Sequence, residues 1–203
     1  MRGARRFYKM SGSGNDFVFF DSADGPVDLL DAPDVIRRLS ARGTGVGADG
    51  VVFLSSSDPR SIAIRYYNSD GSVGEMCGNA TLCALRFAHD RGMVEPGDIA
   101  ISTDSGLVPA RIADGQPEID LAPVTEVVRE LESIPRLERE SHLGFVRAGV
   151  PHVVIVDSDT GSADVHGRGS KIRRDRSLRD GANVNFVSPG IGGWRIRTYE
   201  RGV

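Results

Sequence analysis

One thiol stands where the chain changes from a turn to a helix. Cys77 precedes Gly78 and Asn79, and the residues that follow, including Leu82 and Leu85, repeat with helical spacing. The N-terminus of a helix carries unpaired backbone N–H groups and the positive end of the helix dipole, which both favour an anion. Such a position favours the thiolate form of a cysteine and can also hold the carboxylate of a ligand. The sequence therefore predicts thiol chemistry on an anionic ligand at Cys77.

A strand and a turn lead the chain to this thiol. Residues 62–67 alternate as a strand does, and Asn68 to Gly71 have the composition of a turn. Helices are predicted from Pro33 and around residues 170–174. Other short strands are predicted at residues 6–10, 18–20, 51–54, 99–103, 108–112, 119–121, 143–148, 153–156, 184–187 and 195–199.

Three segments of the first half recur in the same order in the second half. GNDFVFFD returns as VPHVVIVD, GADGVVF as GANVNFV, and IAIRYYNSDG as WRIRTYERGV, at offsets of 136, 134 and 132 residues. We therefore predict a duplicated α/β unit with a boundary near Ala122, giving domains at residues 1–122 and 123–203. The last offset puts the counterpart of Cys77 at position 209. The second unit is therefore expected to be truncated.

Composition limits the class of protein. The net charge is −3, the basic segments are not interleaved with aromatic residues, and no apolar run approaches the ~18 residues that a membrane span needs. The basic start has no apolar stretch after it, unlike a secretory signal. Two cysteines six residues apart do not form a disulfide framework. We expect a reduced, cytoplasmic protein that acts on neither nucleic acid nor membranes.

Each candidate residue also has an ordinary structural explanation. In the structural explanation, Cys77 is a buried small apolar residue. Cys83, in the middle of the same helix, is predicted to be part of the core. Asp49 would brace its own loop, and His152 would cap a strand. Three asparagines lie in glycine-containing turns, where asparagine is common for backbone reasons: Asn15, Asn68 and Asn79.

Taken together, these segments resemble the diaminopimelate epimerase family. The similar segments are KMSGSGNDFVFFD, RGTGVGADGVV, NSDGSVGEMCGNAT, AGVPHVVIVD, GANVNFV and YERG, in the order of the family and across essentially the whole chain. The resemblance implies an α/β (α+β) fold of two pseudo-symmetric epimerase-like domains. Each would be a set of strands wrapped around a central helix, with the second domain incomplete here.

The resemblance also implies an isomerase with a particular reaction. The family converts LL-2,6-diaminopimelate to the meso form, on the route to lysine and peptidoglycan, without pyridoxal phosphate or a metal ion. Two cysteines face each other across the α-carbon, and one removes a proton while the other returns one. Proton removal and delivery on opposite faces require an acid and a base on two sides, and a duplicated domain supplies one from each half.

Carried over by position, Cys77 matches the first catalytic cysteine, which the family uses as a proton donor. His152 and Glu200 match residues that assist the cysteines. The positions that match substrate-binding residues are Asn15, Asn68, Gly78, Asn79, Asn183, Glu200 and Arg201.

The chain departs from the family pattern in three respects. Gly50 stands where some members have glutamine, Val150 stands where others have asparagine, and a second cysteine block is lacking. Two alternatives therefore stay open: a truncated remnant that only binds a ligand or partner, and a related racemase or isomerase of the proline racemase kind. The partner is a small-molecule substrate in the main interpretation. The oligomeric state is open, with a homodimer as one option.

Overall fold

The computed structural model describes residues 5–27, 29–74 and 76–200. The chain divides into two compact units between Leu121 and Ala122. No helix in these described ranges is long and apolar enough to cross a membrane. The elements of the first unit are β1 (Tyr8–Gly12), β2 (Asn15–Asp21), α1 (Pro33–Ser40), β3 (Gly50–Asp58), β4 (Ser61–Asn68), α2 (Gly78–Asp90), β5 (Gly97–Thr103), β6 (Gly106–Ala113) and β7 (Gln116–Ile119). Those of the second unit are β8 (Thr125–Val128), β9 (Glu140–Ala148), β10 (Val150–Asp157), α3 (Val165–Arg173), β11 (Asn183–Gly190) and β12 (Gly193–Tyr199).

The sheet of the first unit curls around α2. Its strands lie in the order β1 to β7, and α2 contacts both edge strands as well as strands between them. The buried face of α2 is made largely of small residues, including Ala80, Ala84 and Ala88, which let the helix lie close to the sheet. Phe17 and Phe19 of β2 pack against this face. The first unit therefore has the predicted form of strands wrapped around a central helix.

The opposite face of the sheet is covered by α1. Ile36 of this helix packs with Val18 and Phe20 of β2 and with Val51 and Phe53 of β3. Because β2 and β3 are buried on both faces, their sequences are continuous apolar runs and not alternating ones.

The described part of the second unit repeats the arrangement of the first four strands and of α1. Its sheet has the order β12-β11-β10-β9-β8, and α3 packs on β11 and β12. The pairs β1–β2, β2–β3 and β3–β4 are antiparallel, parallel and antiparallel, and so are β9–β10, β10–β11 and β11–β12. The helices α1 and α3 each follow the second strand of their series. The predicted pseudo-symmetric fold class is therefore correct.

Most predicted elements are present with shifted ends. Strand β7 ends at Ile119, where a strand over residues 119–121 is predicted from the sequence, and β8 has no counterpart among the predicted strands. Two of the differences have local reasons. The first hairpin turns at Ser13 and Gly14 alone, both with positive φ (52° and 92°), so Ser11 and Gly12 belong to β1. Helix α3 begins at Val165, five residues before the predicted helix, because the Asp164 carboxylate caps it by accepting from the Gly167 N–H at 2.9 Å.

A buried ion pair holds α3 against the second sheet. The Glu140 side chain is 1% exposed and accepts hydrogen bonds from Arg168 Nε and Nη2, both at 2.8 Å. The backbone N–H of Leu137 also donates to Glu140 Oε2, at 2.8 Å. This carboxylate is therefore fully paired inside the unit, as a buried charge must be.

Candidate functional site

The predicted site residues of the first unit lie at one end of its sheet. Phe17 of β2 is paired with Gly50 of β3, and Gly50 is paired with Asn68 of β4. Asn68 lies on the face of the sheet that carries Ile64 and Tyr66, because side chains alternate along a strand, and this is the face that α2 covers. Sheet pairing thus brings these distant residues into one row beside the start of α2.

Cys77 is the residue at which α2 begins. Its backbone is extended (φ −133°, ψ 107°), and its carbonyl accepts from both the backbone N and the Oγ1 of Thr81, each at 2.9 Å. Gly78 and Asn79 are the first residues inside the helix, so their backbone N–H groups belong to the set without an intrahelical partner. The half-buried thiol therefore stands beside the positive end of a 13-residue helix.

A chain of side-chain hydrogen bonds leads from α2 into the sheet. Asn79 Nδ2 donates to Asn15 Oδ1 at 2.7 Å, and Asn15 Nδ2 donates to Asp49 Oδ2 at 3.1 Å. The same Asp49 oxygen accepts from the Asp16 backbone N–H at 3.0 Å. The alternative explanation, in which Asp49 braces its own loop, does not describe these contacts, because Asp49 Oδ2 holds the start of β2. These contacts fix the amide orientations of Asn15 and Asn79.

Two basic side chains support this network from the outside. Arg42 Nη2 lies 2.7 Å from Asp49 Oδ1 and 2.7 Å from Asp16 Oδ1, and Lys9 Nζ lies 2.7 Å from Asp16 Oδ2. The hydrogen bond from Arg42, together with Lys9, holds the pKa of the Asp16 carboxyl well below its usual range. Asp16 is therefore negatively charged near neutral pH, and its role is structural.

Asn68 ends β4 and enters the predicted turn, which the structure contains. Its Nδ2 donates to Ser72 Oγ at 3.0 Å, and Gly71 has a φ of 86° and donates its N–H to the Asn68 carbonyl at 2.9 Å. The Ser69 N–H donates to the Asp49 carbonyl at 3.1 Å, so the turn is joined to the same loop that holds Asn15. Asp49 thereby links the two asparagine positions.

The ring of Tyr66 occupies the place that a side chain at position 50 would take. A Cβ on Gly50 would lie 2.4 Å from Tyr66 Cε2, and a Cβ on Gly74 would lie 2.2 Å from Tyr66 Cδ1. Tyr66 is the diagonal neighbour of Gly50 across the strand pair, within reach of an aromatic side chain. Tyr66 also lines a small cavity together with Cys77 and Thr81. The departure at Gly50 thus places an aromatic ring beside the thiol.

Cys83 is a core residue, as predicted. It is 5% exposed, and a Cβ on Gly12 of β1 would lie 2.7 Å from its sulfur. Burial, and then the neighbouring Cys77, raise the pKa of the Cys83 thiol. Both changes favour the neutral form, so Cys83 is an inert thiol.

The predicted residues of the second unit lie on two adjacent strands and at the end of a third. His152 of β10 is paired directly with Asn183 of β11. It is the third residue of its strand and not a cap, and burial lowers its pKa. Glu200 is half-buried and follows β12. Arg201 lies outside the described residues.

Four side chains that organise these positions were not predicted as site residues: Arg42, Asp49, Tyr66 and Asn185. The sequence contains a signal for Asp49, because the carboxylate of an acidic residue in a glycine loop directly before a strand has backbone N–H groups within hydrogen-bonding reach. Tyr66 and Asn185 carry none, because a strand pattern does not say which cross-strand neighbour a side chain meets. Among the described residues, no group of three histidine, cysteine or acidic side chains is arranged to hold a metal ion.

Comparison with known proteins gives the family. A family model described as diaminopimelate epimerase matches residues 7–127. The diaminopimelate epimerase of Gemmatimonas aurantiaca is 42% identical over 200 residues, which are 97% of this chain and 72% of that protein. The diaminopimelate epimerase of Aquifex aeolicus is 35% identical over 97% of this chain and 74% of its own length.

Solved structures show the same fold at low sequence identity. A phenazine biosynthesis protein from Bacillus anthracis superposes with a TM-score of 0.69 at 12% identity, over 96% of this chain and 70% of that one. A hydroxyproline epimerase from Agrobacterium vitis, with bound trans-4-hydroxy-L-proline, gives 0.63 at 16% identity, over 97% of this chain and 70% of its own. The relatives and the fold together show that this chain is an isomerase with an amino-acid epimerase function, and that it belongs to the diaminopimelate epimerase family.

Proposed function

We propose that this chain serves the cofactor-independent epimerisation of LL-2,6-diaminopimelate to meso-diaminopimelate, in the supply of lysine and peptidoglycan precursors. The observation that carries the proposal is the position of Cys77. The thiol begins α2 and stands beside the hydrogen-bonded pair of Asn15 and Asn79. This position supports the proposal, because a thiol can exchange protons and the two amides can orient an amino acid.

The proposed reaction is a balanced exchange of protons. A thiolate on one face takes the proton from the α-carbon, and the electron pair of the C–H bond is delocalised toward the α-carboxylate. A thiol on the opposite face then donates its proton to the same carbon, which inverts the configuration. One sulfur ends protonated and the other deprotonated, so the reverse reaction starts from the product state. Cys77 is one of these sulfurs, and the other is the counterpart that the internal repeat predicts at position 209, outside the given sequence.

The start of α2 supplies the stabilisation that such a carbanion needs. The backbone N–H groups of Gly78 and Asn79 would donate to the substrate carboxylate, on which negative charge builds up as the proton leaves. Gly78 leaves the helix end approachable, since a Cβ there would still be 3.8 Å from its nearest neighbours, Ile119 and Leu121. A donor of this kind contributes about 3 kcal/mol to a charged transition state.

The remaining predicted residues would bind the polar ends of the substrate. Asparagine amides both donate and accept, which suits a substrate with ammonium and carboxylate groups at each end. We propose this part for Asn15, Asn68, Asn79 and Asn183, and for Glu200 and Arg201 as charged partners. His152 and Glu200 are proposed to assist the cysteines.

Replacing Cys77 by serine tests the proposal. A protein that carries both Cys77 and the counterpart cysteine predicted at position 209 is incubated with LL-diaminopimelate in deuterated water, and both the meso product and deuterium at the α-carbon are measured. The C77S variant should lose at least about 10²-fold in both, because the hydroxyl is far less acidic than the thiol. The matched control is C83A, which removes the other thiol of the chain and should keep the rate of the unaltered protein.

Three outcomes would contradict the proposal. Full epimerisation by C77S would remove Cys77 from the chemistry. Binding of diaminopimelate by the unaltered chain without exchange or product would favour the alternative of ligand binding without catalysis. Faster turnover of proline or hydroxyproline than of diaminopimelate would favour the related racemase. The supporting observation for that alternative is the Tyr66 ring, which fills the space of a side chain at Gly50.

The cellular location, the class of partner and the assembly are part of the same proposal. We place it in the cytoplasm, acting on a small molecule and not on nucleic acid. A homodimer is the assembly to be tested, by sedimentation of the purified chain.

A further inference from the structure

The His152 ring is held by an asparagine that no sequence pattern assigned to the site. Asn185 of β11 is 7% exposed, and its Nδ2 lies 3.1 Å from His152 Nδ1. The same Nδ2 donates to the Val153 carbonyl at 3.2 Å, and the Asn185 Oδ1 accepts from Thr198 Oγ1 at 2.9 Å. The Asn185 amide thus joins three strands and contacts one ring nitrogen of His152.

These contacts decide which way the Asn185 amide points. A backbone carbonyl has no hydrogen, so the group facing the Val153 oxygen must be the NH2 and not the amide oxygen. The NH2 group has two hydrogens, one for the Val153 carbonyl and one for His152 Nδ1. The Nδ1 atom must therefore accept, which requires its lone pair to be free of a proton.

We infer that Asn185 holds His152 as the neutral tautomer with its proton on Nε2, so that the imidazole serves as a hydrogen-bond donor and not as a base. Asn185 is a positioning residue in this assignment, because it acts through the histidine. The mechanistic part of the inference rests on the proposed function, whereas the tautomer itself does not.

Protonation of His152 would break this arrangement. A hydrogen on Nδ1 would point at the hydrogens of the Asn185 amide, and turning the amide would place its oxygen against the Val153 carbonyl. The residues paired with His152, Val146 on β9 and Asn183 on β11, are uncharged. Burial adds to this effect by lowering the His152 pKa.

The charged side chain next to Val146 on β9 points away from His152. Arg147 follows Val146 on β9 and so lies on the opposite face of the sheet. Its guanidinium is paired with Glu126 at 3.0 Å and Asp180 at 3.6 Å. The helix α3 packs with Val153, again on the face away from His152. Of the titratable groups on the neighbouring strands, His142 is paired with Val156, four residues along β10 from His152, and Glu200 follows Tyr199 at the end of β12. Burial is the cause that shifts the His152 pKa.

The inference limits what His152 can do in the proposed reaction. Its Nδ1 lone pair is engaged, so the ring cannot take a proton from a thiol without losing the Asn185 contact. Its Nε2–H can donate to an anion, such as a thiolate or a substrate carboxylate, and stabilise that charge. His152 would thus favour the anionic form of the group that accepts its hydrogen bond, without becoming charged itself.

Nitrogen NMR of the full chain tests the tautomer without any need for turnover. The chain has four histidines, which are labelled with 15N and resolved by long-range proton–nitrogen correlation. His152→Gln assigns the signal, and the other three rings report on the fold. We expect an unprotonated Nδ1 and a protonated Nε2 at neutral pH, with a titration midpoint below the ordinary value of about 6.5. A protonated Nδ1 at neutral pH would overturn the inference.

A pair of isosteric variants separates the specific contact from nearby charge. In Asn185→Asp, the carboxylate accepts from Nδ1–H, so the proton should move to Nδ1 and the midpoint should rise by about one pH unit or more. In Asn183→Asp, a carboxylate is added directly across the strand pair from His152, but the Asn185 contact remains, so Nδ1 should stay unprotonated in the neutral ring. Equal behaviour of the two variants would refute the inference.

A further variant covers the case in which Asn185→Asp fails to fold. Thr198→Val removes the donor that anchors Asn185 Oδ1, and a measurable Nδ1–H population should appear. An unchanged tautomer in a folded Thr198→Val protein would count against a positioning role. A confirmed tautomer in a chain without epimerase activity would uphold this inference while refuting the proposed function, so the two failures are distinguishable.

Discussion

Replacing Gly50 by alanine should destabilise the first unit and disturb the cavity beside Cys77. The new Cβ would lie 2.4 Å from Tyr66 Cε2 and 2.6 Å from the Tyr67 carbonyl oxygen. The ring can turn away, but the carbonyl belongs to the strand that is paired with Gly50, so relief requires a shift of the backbone. A rotamer change of Tyr66 alone is therefore insufficient.

The expected loss follows from these two contacts. Overpacking a buried site costs about 1–3 kcal/mol in the free energy of unfolding. With a slope of about 2 kcal/mol per molar urea, the midpoint should fall by about 0.5–1.5 M. Far-UV circular dichroism follows the whole chain. The single tryptophan, Trp194, is 66% exposed in the second unit, so its fluorescence reports on that unit and should change little.

Gly78→Ala is the matched control within the same unit. Its added Cβ would meet Ile119 and Leu121 at an ordinary 3.8 Å, so its urea midpoint should stay close to that of the unaltered chain. Adding Tyr66→Leu to Gly50→Ala should restore part of the stability, because the ring contact is removed while the carbonyl contact stays. A Gly50→Ala midpoint equal to that of Gly78→Ala would refute the assignment of Tyr66 to this space.

Three other predictions concern the Asp16 ion pairs of the first unit, the buried ion pair of the second unit and the two thiols. Asp16→Asn should lower the free energy of unfolding by about 1 kcal/mol at pH 7. The difference should begin to shrink below about pH 4 and keep shrinking as the pH approaches the depressed pKa of Asp16 in the folded chain, because the stabilisation is complete above the unfolded pKa and is lost on the way down to the folded one. Urea curves over this pH range check this. Arg168→Leu should lower the free energy of unfolding by about 3–5 kcal/mol, because it leaves the Glu140 carboxylate buried without its cation. A fall in the melting temperature of only a few degrees or less would contradict this. Iodoacetamide should modify Cys77 well before Cys83 in the native chain and both at similar rates in urea, as mass spectrometry of the two peptides would show.

The sequence predicted most of the elements because each depends on local pattern. The alternation of residues 62–67, the turn from Asn68 to Gly71 and the helix after Cys77 are all present, with ends that differ by a few residues. The α3 boundary was misjudged because Gly167 and Gly169 weaken a helical pattern. Gly169 is required by packing, since a Cβ there would lie 2.5 Å from Tyr199.

By itself, the sequence determined the family, the duplicated α/β unit and the place of Cys77 at a helix start, because motif order and periodicity are properties of the linear chain. Only the tertiary structure decided which side chains meet: Asn15 with Asn79 and Asp49, Tyr66 over Gly50, and Asn185 on His152. These contacts join residues far apart in the chain, and their geometry depends on strand register and on which face each side chain takes. A helix start can therefore be read from residue order, whereas the partners that orient a site are set by packing.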